Sequence, residues 1–122
     1  MPPVNKARIN RLPFRTLTLG PHKFDIILSE DEIKKAEEET GSRGLYGWFS
    51  EAEGVICIKP GLSASMCVEV VLHEVMHAVH TFFLPGNAQE EEEYVKHYAF
   101  GLSTILRQNP RLARWILESL QG

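Results

Sequence analysis

Cysteine is scarce in this chain, and the two present, Cys57 and Cys67, stand in apolar surroundings without forming a C-x-x-C pair. That pattern argues against a disulfide framework or a cysteine-built metal site, and reads as reduced core side chains in a reducing compartment. Long apolar runs are missing too. Nothing approaches the roughly 18 residues of a membrane span, so no membrane partner is expected. The start, Met1-Pro2-Pro3-Val4-Asn5-Lys6, lacks the apolar run of a signal peptide, and a cytoplasmic location is expected. Positive charge is in deficit, with 13 Lys and Arg against 16 Asp and Glu and a formal charge of −3. No domain-wide basic excess can drive counterion release, so no nucleic acid is expected as a partner. Internal repeats and low-complexity segments are absent as well.

What is present is enough for one α+β domain, since 122 residues can bury roughly two thirds of the unfolded surface. Residues 1–13 hold three prolines with Lys6, Arg8 and Arg11 and little to bury, which predicts an extended basic arm ahead of a domain over 14–122. Phe14 to Leu19 and Lys23 to Leu28 read as paired strands about Gly20-Pro21-His22, with Phe24, Ile26 and Leu28 on one face. Ser29 with Glu32 forms a capping box, and Gly41 closes a thinly apolar helix that buries Ile33 and Ala36. Gly44 to Phe49 and Gly54 to Lys59 predict a hairpin. Its first strand, with bare glycines beside aromatics, is suited to accepting an extended peptide by strand addition.

After Pro60-Gly61, a cap at Ser63 or Ser65 starts a long helix running to about Phe83. It carries Leu72-His73-Glu74-Val75-Met76-His77-Ala78-Val79-His80. Histidines four apart share one helical face, so both imidazoles can reach one ion at Zn–N distances of about 2.0–2.1 Å. Glu74 stands about 100° round the helix, placed to take a proton from a water beside the ion without itself being a ligand. A chance H-E-x-x-H in a chain this long has a probability on the order of three in a thousand. The flanking Val70, Val71, Val75, Ala78 and Val79 predict a helix buried on most sides, where such polar groups cost several kcal/mol unless they have partners.

A catalytic zinc needs a third protein ligand. A second long helix is predicted from Ala88 or Gln89, with Val95, Tyr98, Ala99, Leu102, Ile105 and Leu106 as its buried stripe, up to Asn109-Pro110 and a short amphipathic tail. Stepping back from Val95 along that stripe gives Glu92 or Glu91, while Glu90 and Glu93 point away. His80 stands another turn along and is cast as a supporting residue. His97 is expected to face away from the stripe.

The H-E-x-x-H segment, followed by Glu92-x-x-Val95-x-x-Tyr98-Ala99 on a second helix, resembles the gluzincins, the zinc metallopeptidases of thermolysin type. More narrowly, it is similar to the small single-domain members and relatives common in bacteria and phages. The likeness covers residues 44–106, and only its first motif is highly specific. It implies a zincin-like fold, a short antiparallel or mixed sheet on a two-helix metal-binding core. It also implies Zn2+ held by His73, His77 and Glu92, Glu74 as general base, and a peptide or protein substrate. The chain departs from the pattern at Lys96, where thermolysin-type enzymes often carry an Asp, and has no separate substrate-binding domain, so a narrow or weak peptidase is expected. Two other readings compete. One is a SprT-like protease with His97 as third ligand; the other is a non-catalytic protein-binding or regulatory module whose zinc is structural, closed by His80 or His97, or vestigial.

Overall fold

The computed structural model describes residues 8–83 and 91–121, and at positions 91, 92, 93, 95 and 96 the backbone alone. Strands β2 (Thr16–Leu19) and β3 (His22–Leu28) pair antiparallel, with Leu19 opposite His22 across the two-residue turn Gly20-Pro21. Gly20 takes φ 62°, the left-handed conformation that a tight hairpin demands and that glycine adopts without strain. Phe24 and Ile26 are buried with Leu28 half-buried, while Lys23, Asp25 and Ile27 face out, as the alternation predicts. Ser29 Oγ accepts the Glu32 N–H at 3.2 Å and Gly41 takes φ 71°, so helix α1 (Glu30–Thr40) has both ends the sequence assigns it.

The crossover through α1 sets β5 (Val55–Ile58) parallel to β3, and β4 (Gly47–Ser50) folds back antiparallel to β5. The sheet order is β2-β3-β5-β4, which leaves β2 and β4 as edges. Side chains from the end of α3 (Glu91–Gln108) and the residue after it reach the β2 edge. The Asn109 side chain accepts the Thr18 N–H at 2.9 Å and donates to the Thr18 carbonyl at 2.7 Å, and the Gln108 amide does the same for Gly20 at 2.8 and 3.3 Å. Two side-chain amides thus take up the backbone groups at Thr18 and Gly20 that would otherwise be offered to another strand.

Residues 8 and 9 are not a free arm. Strand β1 (Arg8–Ile9) pairs antiparallel with β6 (Leu62–Ser63), the Gly61 N–H donates to the Ile9 carbonyl at 2.9 Å, and Ile9 and Leu12 pack on the core. The pairing escapes a composition-based reading because each strand contributes two residues.

Helix α2 (Ala64–Phe83) is the centre of the molecule, in contact with β4, β5 and β6, with α3 (Glu91–Gln108) and with α4 (Pro110–Gln121). Its buried face is Cys67, Val68, Val70, Val71, Glu74, Val75, Ala78 and Val79. Together with two small sheets this gives a mixed α+β architecture of four helices among the described residues. None of these helices is long and apolar enough to cross a membrane.

Cys57 and Cys67 are free and buried, and burial pushes both thiols from 9.0 to about 11. Native protein at pH 8 is expected to resist a thiol reagent and to react at both positions once unfolded, read by absorbance with and without denaturant. Because the folded state holds these protons more tightly than the unfolded one, stability should fall as pH rises from about 9 to about 11.

Candidate metal centre

Helix α2 shows solvent one narrow stripe. Glu69, His73, His77 and His80 are exposed along it, while Val70, Val71, Glu74, Val75 and Ala78 turn inward. The apolar flanks that bury the helix on three sides therefore fix which way the histidines look. His73 Nε2 and His77 Nε2 lie 3.2 Å apart, with ring planes inclined at 73°. Two ligand nitrogens on tetrahedral arms of about 2.0–2.1 Å stand about 3.3 Å apart. The pair consequently has the spacing of two ligands to one ion; in the free protein the same spacing lets one ring donate to the other.

Glu74 is 5 % exposed, and burial raises its carboxyl above the ordinary carboxylate range, with partial opposition from His73. It lies directly beneath strand β4. A Cβ built on Gly47 would stand 2.9 Å from Glu74 Cγ, 3.0 Å from its Oε2 and 2.8 Å from Val70 Cγ1, so the strand comes this near only because residue 47 has no side chain. His77 is held below its usual pKa, by burial first and then by His73 and His80. Both causes favour the neutral imidazole, the form with a lone pair for a metal.

Two hollows meet at His73. One, of about 400 Å3, lies between Gly44, Leu45, Tyr46 and Gly47 on one side and Met66, Val70 and Glu74 on the other. The second, of about 550 Å3, follows the exposed stripe of α2 past Leu72, Met76, His77 and His80 to Tyr98. His80 Nδ1 and the Tyr98 hydroxyl share a hydrogen bond of 2.9 Å, and the His80 ring lies parallel to Tyr94, with ring centres 6.4 Å apart. His80 thus ties α2 to α3, as its place one turn beyond the pair suggests.

The expected stripe on α3 is displaced. Ala99 and Leu102 are exposed, whereas Gly101, Thr104 and Ile105 are buried and Tyr94, His97 and Tyr98 half-buried. Apolar character drew the expectation to Ala99 and Leu102, but the centre of the contact is Gly101, whose missing side chain makes room for Val79 and Phe83 of α2. His97 accordingly shares the Gly101 face, which corrects the expectation that it turns away. A glycine carries no hydropathy signal, and its cue in the sequence is its place three residues before Thr104 and four before Ile105. The expected third ligand Glu92, with Glu91 and Glu93, lies where only the α3 backbone is described, and Glu90 lies outside the described residues.

Among the described residues no group of three or more His, Cys, Asp or Glu side chains is placed to hold a metal ion. No family model, curated protein or solved structure matches this chain.

Proposed function

We propose that the protein is a zinc-dependent peptidase of gluzincin type, and the observation that carries the reading is the 3.2 Å convergence of His73 Nε2 and His77 Nε2 beside a buried Glu74. His73 and His77 would hold the ion with one carboxylate from the start of α3. When bound, zinc supplies Lewis acidity, making a water a stronger acid and a carbonyl a better electrophile. The chain supplies the rest. Glu74 is the general base that accepts the water proton and then passes it to the leaving amine, a role its raised pKa suits. Strand β4 is the terminal strand of its sheet and passes above that carboxylate, and an extended peptide pairing there would lie across the site. The hollow beside Leu45, Tyr46 and Met66 would receive one of its side chains.

The likeness to gluzincins assigns the third ligand to Glu92. The phase of α3 favours its neighbour: Tyr94, His97, Tyr98, Gly101 and Ile105 mark the face turned to α2, and three residues before Tyr94 is position 91. Glu91→Gln is therefore expected to lose most bound zinc and Glu92→Gln to keep it, measured as metal per chain after dialysis. The reverse outcome would assign the ligand as the family likeness does. Activity is tested on a pool of unstructured peptides. Cleavage that stops with a chelator and returns with zinc supports the reading, and no cleavage by fully zinc-loaded protein counts against it.

A further inference from the structure

The formal charge of −3 conceals a division. Residues 8–28 and 101–121 carry seven Lys or Arg against two acids, while residues 29–93 carry four against fourteen. The fold joins the two basic stretches. Where β2 packs beside the start of α4 there are two adjoining grooves of about 940 and 290 Å3, which share Phe14, Arg15, Thr16 and Arg111. Arg11, Arg15 and Arg111 line the larger, and Lys23 joins Arg15 and Arg111 in the smaller. Among the described lining residues Asp25 is the one acid.

The first turn of α4 has no acidic residue and carries Arg111 at the positive end of the helix dipole, the arrangement a helix favours least. An anion in the groove would relieve that repulsion. Its class can be narrowed. An acidic peptide would gain by strand pairing, but along β2 the Thr18 and Gly20 backbone groups are already taken by Asn109 and Gln108. A single nucleic-acid strand would gain from exposed aromatic rings on which to stack, but Phe14 is 7 % exposed and packs edge-on against the buried Trp115. What the lining offers is four cations, Arg11, Arg15, Lys23 and Arg111, against one acid, a charge balance suited to backbone phosphates.

We propose that this face binds the phosphate backbone of double-stranded nucleic acid without sequence preference, at the sheet edge opposite the candidate metal centre. The net charge hides such a surface because cations and acids segregate in space while the sum mixes them. The proposal is independent of the peptidase reading.

The test is fluorescence anisotropy of a labelled duplex of about 20 base pairs titrated with the whole chain between about 50 and 200 mM salt. Four phosphate contacts, from Arg11, Arg15, Lys23 and Arg111, predict that log K falls against log salt with a slope of about −3 to −4. Arg11→Gln, Arg15→Gln and Arg111→Gln should each reduce that slope by about 1. The combined variant should lose binding while its circular dichroism stays native. Lys34→Gln with Lys35→Gln, an equal kind of charge change on α1, should bind as the parent does. No binding at the lowest salt would overturn the proposal, as would an equal loss in the α1 variant. Competition by polyglutamate as effective as by unlabelled duplex would reassign the face to an acidic protein, and a single strand bound more tightly than the duplex would also contradict it.

Discussion

Replacing Glu74 by Gln is expected to lower peptide cleavage by about 10²–10⁴-fold, the range general-base catalysis contributes, while leaving bound zinc unchanged. The two parts belong together. Glu74 is 5 % exposed and fills the space beneath Gly47, and glutamine has the same shape, so packing around it survives. What disappears is the capacity to accept a proton. Steady-state cleavage and metal content, measured on the same preparation, check the pair of statements. A Glu74→Gln protein that lost zinc would place this carboxylate among the ligands, and one that kept full activity would remove it from the chemistry.

Gly47→Ala is the second large expectation, because it disturbs the same carboxylate without altering its chemistry. Gly47 is absent from the positions of positive φ, so alanine is compatible with the backbone and the effect comes from space alone. The added methyl would meet Val70 Cγ1 at 2.8 Å and Glu74 Cγ at 2.9 Å. Either β4 retreats from α2 or Glu74 shifts, and a displacement near 1 Å at a reacting group costs about 100-fold in rate. Overpacking of this kind also destabilises by about 1–3 kcal/mol. Cleavage should therefore fall about 10–100-fold in a protein that still unfolds cooperatively and still holds zinc, as read by kinetics, thermal melting and metal analysis. Unchanged activity would mean that the strand and the carboxylate are not coupled.

The parts of this structure that were legible in the sequence are those set by short-range chemistry. Gly20-Pro21 announces a hairpin, Ser29 and Gly41 bound α1, and the alternation of Phe24, Ile26 and Leu28 gives the buried face of β3. The facing of His73 and His77 follows from their four-residue spacing inside an apolar helix. Long-range features were hidden. The docking of Arg8 and Ile9 against Leu62 and Ser63 needs a pairing between residues more than fifty apart, with two residues on each side to signal it. The amides of Gln108 and Asn109 that close the β2 edge come from the far end of the chain. On α3, hydropathy favoured Ala99 and Leu102, whereas a close helix approach selects the glycine beside them. Under the proposed function that displacement matters beyond packing, since Glu91 rather than Glu92 would then be the third ligand.

Whether His73 and His77 together hold one zinc ion, as proposed, is read from metal content after dialysis against buffer. About one zinc per parent chain is expected, with near loss of zinc from His73→Ala and from His77→Ala and both variants folded by circular dichroism. Parent protein that takes up no zinc, or a His73→Ala,His77→Ala double variant that keeps the full amount, would contradict it.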